Sequence, residues 1–189
     1  GLTTTQIAIM ETGDIAALTT TNVAALTNTQ VSQGLTTAQV AALSTAQVPL
    51  GLTTAQINLG LSTAQVRAME TRDIAALATA SIVALATEQV VALTSAQILA
   101  LGTTQVAVIE TRDIAALTTA QVRQGLSTDQ VVALTTEQVA LGLTTGQINQ
   151  GLTTAQVSVI ETQDIAALST AQIAALTSAG IVALTTDQV

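Results

Sequence analysis

Four short segments carry the side chains most able to do chemistry: Glu11-Thr12-Gly13-Asp14, Glu70-Thr71-Arg72-Asp73, Glu110-Thr111-Arg112-Asp113 and Glu161-Thr162-Gln163-Asp164. Each sets two carboxylates three residues apart, which on a helix places them on one side. Such a pair could lend oxygens to calcium or divide the work of an acid and a base. Calcium takes about six to eight oxygens, and no Gly- and Asp-rich loop supplies the remainder. Acid–base catalysis needs unlike carboxylate environments beside a substrate cleft, and four near-copies of one segment offer no such asymmetry. The competing role is local, because acids at a helix start complement its dipole and satisfy free N–H groups. No catalytic, cofactor-binding or metal residue is assigned.

Composition narrows the chemistry further. The chain has no His, Cys or aromatic residue, and its four basic residues are all arginines: Arg67, Arg72, Arg112 and Arg123. Nothing is present to activate the abundant Ser and Thr hydroxyls, to bind zinc or to form a disulfide, so the expectation is a protein that is not an enzyme. A net charge of -8 without aromatic rings opposes both phosphate neutralisation and base stacking, so no nucleic-acid partner is expected. The arginines are expected to make weak surface pairs, such as Arg67 with Glu70. Thr and Gln interrupt every apolar stretch, so no membrane span is expected.

The elements that position these residues follow from self-similarity. A Val or Ile anchor recurs 23 times from Ile7 to Val189, at 16 intervals of eight residues and 6 of nine. Five residues before each anchor stands Leu, replaced only by Met10, Met69, Ile109 and Ile160. Each nine-residue interval carries an extra Gly before the Leu: Gly34, Gly51, Gly60, Gly125, Gly142 and Gly151. Residues 36–98 align without a gap on 127–189, so eleven units form a larger repeat of 91 residues. Residues 1–189 thus form a single repeat array.

Leu35-Thr36-Thr37-Ala38-Gln39-Val40 reads as a helix start, with Thr36 as N-cap, Gln39 completing a capping box, and Leu35 and Val40 as a hydrophobic staple. The residue after the cap is the more uniform Thr, so a cap shifted by one stays open. One continuous helix fails, because eight residues rotate the apolar stripe by about 80° per unit. A β-solenoid is the alternative, since Thr, Val and Ile suit strands, but Leu and anchor five apart cannot share one pleated face without a bend. The expected fold is an all-α solenoid of very short helices, one per unit, with a core formed by stacking neighbours. Nine-residue units are expected to widen a corner or adjust a side.

The unit Leu35 to Leu43, repeated at Leu168 to Leu176, resembles the short-period repeats of very long bacterial secreted or surface proteins, including adhesin-like ones. That resemblance implies an elongated extracellular or cell-surface segment. Leu134 to Val139 is also similar to repeats of plant-pathogen DNA-binding effectors, but the eight- or nine-residue unit and the acidic charge exclude that function. The array opens on a junction glycine and closes on an anchor, which leads to the expectation of a stretch from a longer array, or a protomer that associates with itself end to end or laterally. A structural spacer or fibre is therefore expected. The alternative is a binding module whose regular Thr-rich face recognises a lattice, ice, a glycan or a partner surface, with Asn58, Gln124, Asn149 and Gln150 as its first candidates.

Overall fold

In the computed structural model, which describes residues 1–189, 22 of the 23 anchors sit in separate helices of four to seven residues. No strand forms, so the β-solenoid alternative is set aside. The sequence launches each helix by capping. Thr36 is extended (φ -76°, ψ 163°), its N–H donates to Gln39 Oε1 at 2.8 Å, and Gln39 N–H donates to Thr36 Oγ1 at 3.2 Å. That geometry settles the cap on Thr36 rather than Thr37. The helix then stops on its next Leu: Leu43 N–H bonds back three residues to Val40 O at 3.2 Å, a tightened last turn. Leu43 is also the residue that leads into the next cap, Ser44.

Helices this short are marginal in isolation, so packing must hold them. The chain divides into two compact units, Gly1–Leu93 and Thr94–Val189. In the first, Thr4–Ala8 packs on Gln30–Gly34, Thr20–Ala24 on Gln47–Gly51, and Thr37–Ala41 on Thr63–Ala68, which in turn meets Thr87–Ala92. In the second, Ser95–Ala100 packs on Thr119–Gly125, Thr111–Ala116 on Gln138–Gly142, and Thr154–Ser158 on Ser178–Ala183. Every one of these pairs is three repeats apart, so each compact unit is a three-sided coil with one helix per side. The anchors fill its axis: Val40, Val48, Ile57 and Val66 are all 0% exposed. The Leu residues between them, such as Leu35 and Leu43, are buried at the corners.

The extra residue of a nine-residue unit is absorbed within a side. In five of the six, the closing Leu N–H reaches back five residues, as from Leu35 to Gln30 O at 3.0 Å and from Leu143 to Gln138 O at 3.0 Å. The unit ending in Gly125 closes over four, from Leu126 to Val122 O at 3.4 Å. The glycine serves close approach, because no glycine has a positive φ. A Cβ added at Gly51 would lie 3.1 Å from Val23 Cβ and 3.3 Å from Thr20 O, in the helix of the preceding coil.

Candidate functional site

The corners of the coil concentrate the polar chemistry. Sixteen units place Gln immediately before the anchor, and sequence reasoning assigned it only the capping oxygen. The amide nitrogen does more. Gln39 Nε2 donates to Ile7 O and Met10 O, both at 2.8 Å, and Gln65 Nε2 donates to Val31 O and Leu35 O, both at 2.7 Å. In the second compact unit Gln138 reaches Val106 O and Ile109 O, and Gln156 reaches Val122 O and Leu126 O. The acceptors are each time an anchor carbonyl and the carbonyl of the residue that opens the next repeat, one coil earlier. Gln39 and Gln65 are each 2% exposed, so the amide has all its bonding groups satisfied inside the protein, as a buried polar group requires. Where the cap has no hydroxyl the oxygen still works: Ala86 N–H donates to Gln89 Oε1 at 2.8 Å and Gly102 N–H to Gln105 Oε1 at 2.7 Å.

The four acidic segments break this pattern, and their carboxylates do not converge. Glu70 is half exposed and accepts from Arg72 Nε at 2.7 Å, whereas Asp73 is fully buried. Glu110 likewise pairs with Arg112 Nε at 2.6 Å, and Glu161 accepts from Gln163 Nε2 at 2.7 Å. Glu70, Glu110 and Glu161 thus turn outward to the next residue but one, and none of the three makes a side-chain cap bond to its own helix. Arg72, not named in the sequence-based pairing, holds Glu70. Asp14, exposed in the first coil, accepts a capping bond from Glu11 N–H at 3.3 Å. Asp73 has no hydrogen-bond donor on either oxygen, and Asp164 Oδ1 has none. Burial pushes the Asp73 carboxyl above the usual carboxylate range, against the pull of Arg72 3.9 Å away and with the push of Glu70.

Within the second compact unit, Gln138–Gly142 packs on both Thr111–Ala116 and Thr162–Ala167. It therefore stands between the Glu110/Asp113 and Glu161/Asp164 pairs. Nowhere do three or more acidic groups gather within metal-binding reach. The surface candidates are partly structural: Asn58 Nδ2 donates to Ala84 O at 2.6 Å and Asn149 Nδ2 to Ala175 O at 2.9 Å, each across to the next coil. Gln150 O accepts from Arg123 Nη1 at 3.5 Å.

A corner glutamine that caps its own helix and bonds the previous coil explains why the Leu-Thr-Thr-Ala-Gln string recurs so strictly. The ALTTAQ repeat matches residues 7–45, 66–103, 106–141 and 157–189. The chain belongs to the ALTTAQ repeat family. No curated protein and no solved structure matches it. In this ALTTAQ array no helix is long and apolar enough to cross a membrane.

Proposed function

We propose that this ALTTAQ array is a non-catalytic structural segment, an extended spacer or surface fibre exposed outside the cell. One observation carries the reading: the corner amide nitrogens donate to backbone carbonyls of the preceding coil, in the same direction along the chain each time.

A ladder built on main-chain groups places few demands on side chains, so any coil of this kind can serve as template for the next. A further coil, from the same chain or from another copy, would meet the same set of bonds, which supports end-to-end self-association of the heterologous kind. The cap hydroxyls favour this reading over recognition of ice or another lattice, because each oxygen already accepts a bond within its own helix, as those of Thr36 and Thr153 do from the N–H groups of Gln39 and Gln156.

Small-angle scattering and electron microscopy of the purified chain over a range of concentrations test the shape. Rods that lengthen with concentration are expected for a fibre, and rods of fixed length for a spacer, whereas a globular particle would overturn both. Antibody labelling of intact source cells tests the location, and a signal seen only after permeabilisation would count against a surface role.

A further inference from the structure

Gly180 occupies the place that Gln holds in sixteen units. Its backbone N–H still donates to Thr177 Oγ1 at 3.0 Å, and its helix, Ser178–Ala183, still packs on Thr154–Ser158. The helix start is therefore intact, and what is missing is the side chain that would reach the preceding coil. By register that side chain would meet Ile148 O and Leu152 O. The equivalent Gln172 meets Val139 O at 3.3 Å and Leu143 O at 2.7 Å, and its oxygen accepts from Ser169 N–H at 2.9 Å. At Gly180 a cavity of about 250 Å³ opens at this corner, its wall including Ile148, Leu152, Thr153, Thr177 and Arg123.

The rest of the molecule shows what such a corner accepts. At Gln39, Gln65, Gln138 and Gln156 the occupant is a primary carboxamide, whose NH2 group spans two carbonyls one coil earlier. We propose that the Gly180 corner is a binding site for a primary carboxamide supplied from outside the chain, either a small free amide or the side chain of a glutamine in another polypeptide. Its NH2 group donates to Ile148 O and Leu152 O, and its oxygen accepts from Thr177 N–H. A carboxylate would set its oxygens against those two carbonyls, so the corner selects the neutral amide even with Arg123 on its wall.

Propionamide, which reproduces the outer part of a Gln side chain, is the probe. Titrated into the ¹⁵N-labelled chain, it is expected to shift the Gly151 and Gly180 amide resonances saturably and to raise the thermal midpoint. Butanone, of similar shape but without N–H donors, and propionate are expected to do neither. Gly180→Gln fills the corner from within, so its thermal midpoint should rise and its response to propionamide should be lost. N-acetyl-glutamine methylamide separates the sources: binding assigns the corner to a polypeptide side chain, and binding of propionamide alone assigns it to small amides. The absence of a saturable shift, an equal response to butanone or propionate, or a response that survives in a folded Gly180→Gln chain would each overturn the site. The comparison of propionamide with butanone on the unaltered chain stands whether or not the variant folds.

Discussion

Gln65 and Asp73 occupy the same place in successive repeats, and both are buried, yet their corners are held in different ways. Gln65 accepts from Ser62 N–H at 2.8 Å and donates to Val31 O and Leu35 O at 2.7 Å. Asp73 is one methylene shorter and, when ionised, has nothing to donate. Neither of its oxygens meets a hydrogen-bond donor, and the nearest cation, Arg72 Nε, lies 3.9 Å away. The difference teaches that donation across coils, rather than polarity as such, locks one turn of the coil to the one before. An Asp corner keeps the helix start but gives up that lock.

The largest effect is expected from turning the first corner into the second. Gln65→Glu keeps an oxygen for Ser62 N–H but sets a buried carboxylate against the Val31 and Leu35 carbonyls. A loss of about 3–5 kcal/mol at neutral pH is expected, the range for an uncompensated buried charge. Gln65→Ala, which leaves the carbonyls unpaired without adding charge, should cost about 2–3 kcal/mol. Urea denaturation followed by circular dichroism measures both. If Gln65→Glu is as stable as the parent at neutral pH, the contrast between the corners has no energetic content.

The reverse exchange, Asp73→Gln, supplies the missing donor and removes a buried charge. A gain of about 1–3 kcal/mol at neutral pH is expected from hydrogen bonding and relief of desolvation. The same denaturation experiment reads it, and a chain made less stable would show that the surroundings of Asp73 have been shaped around the shorter side chain.

The unequal weight of these corners marks the boundary of what the residues alone disclosed. Capping and burial are local, so Thr36 with Gln39, and Leu35 with Val40, announced the short helices and the buried side of each. The three-sided coil was hidden because its cross-coil acceptors are main-chain carbonyls, which leave no trace in side-chain identity. Gln65 reads from the sequence as the partner of its cap, a role it fulfils, but the sequence does not tell that its amide is also buried and donates to two carbonyls of the preceding coil. The strictness of Gln at that place, even over Ala86 and Gly102 where no cap hydroxyl exists, was the available signal. The Glu70/Asp73 pair shows the opposite limit: a spacing of three puts both carboxylates on one side of a helix, but it does not tell that Glu70 faces solvent while Asp73 is buried at the corner.

The pH dependence of stability sharpens the comparison with a smaller effect. Asp73 has its carboxyl raised above its value of 3.8 by burial, so the folded state binds this proton more readily than the unfolded chain does. Its stabilising contribution is therefore complete below about pH 3.8 and is lost as pH rises through the raised value. The stability difference between Asp73→Gln and the parent should accordingly be smallest in acid and widen toward neutral pH, by about 1.4 kcal/mol for each pH unit by which the carboxyl is raised. A difference that stays level from acid to neutral would mean that Asp73 does not titrate in this range, and that only the missing donor distinguishes its corner.

Arg72→Ala should have the smallest effect on stability and the most specific effect on titration. The Arg72 and Glu70 side chains are 64% and 47% exposed, so their ion pair is screened and worth no more than about 0.5 kcal/mol. Arg72 is also the cation that pulls the Asp73 carboxyl downward, while Glu70 pushes it up. Removing the guanidinium leaves burial and Glu70 acting together, so the pH range over which the parent loses stability should move upward. Measured against Arg72→Ala/Asp73→Gln, that displacement should vanish, because the second substitution removes the titrating group. A displacement that persists in the double variant would place the titration on Glu70 instead, and the buried carboxylate would no longer account for the behaviour of the acidic corner.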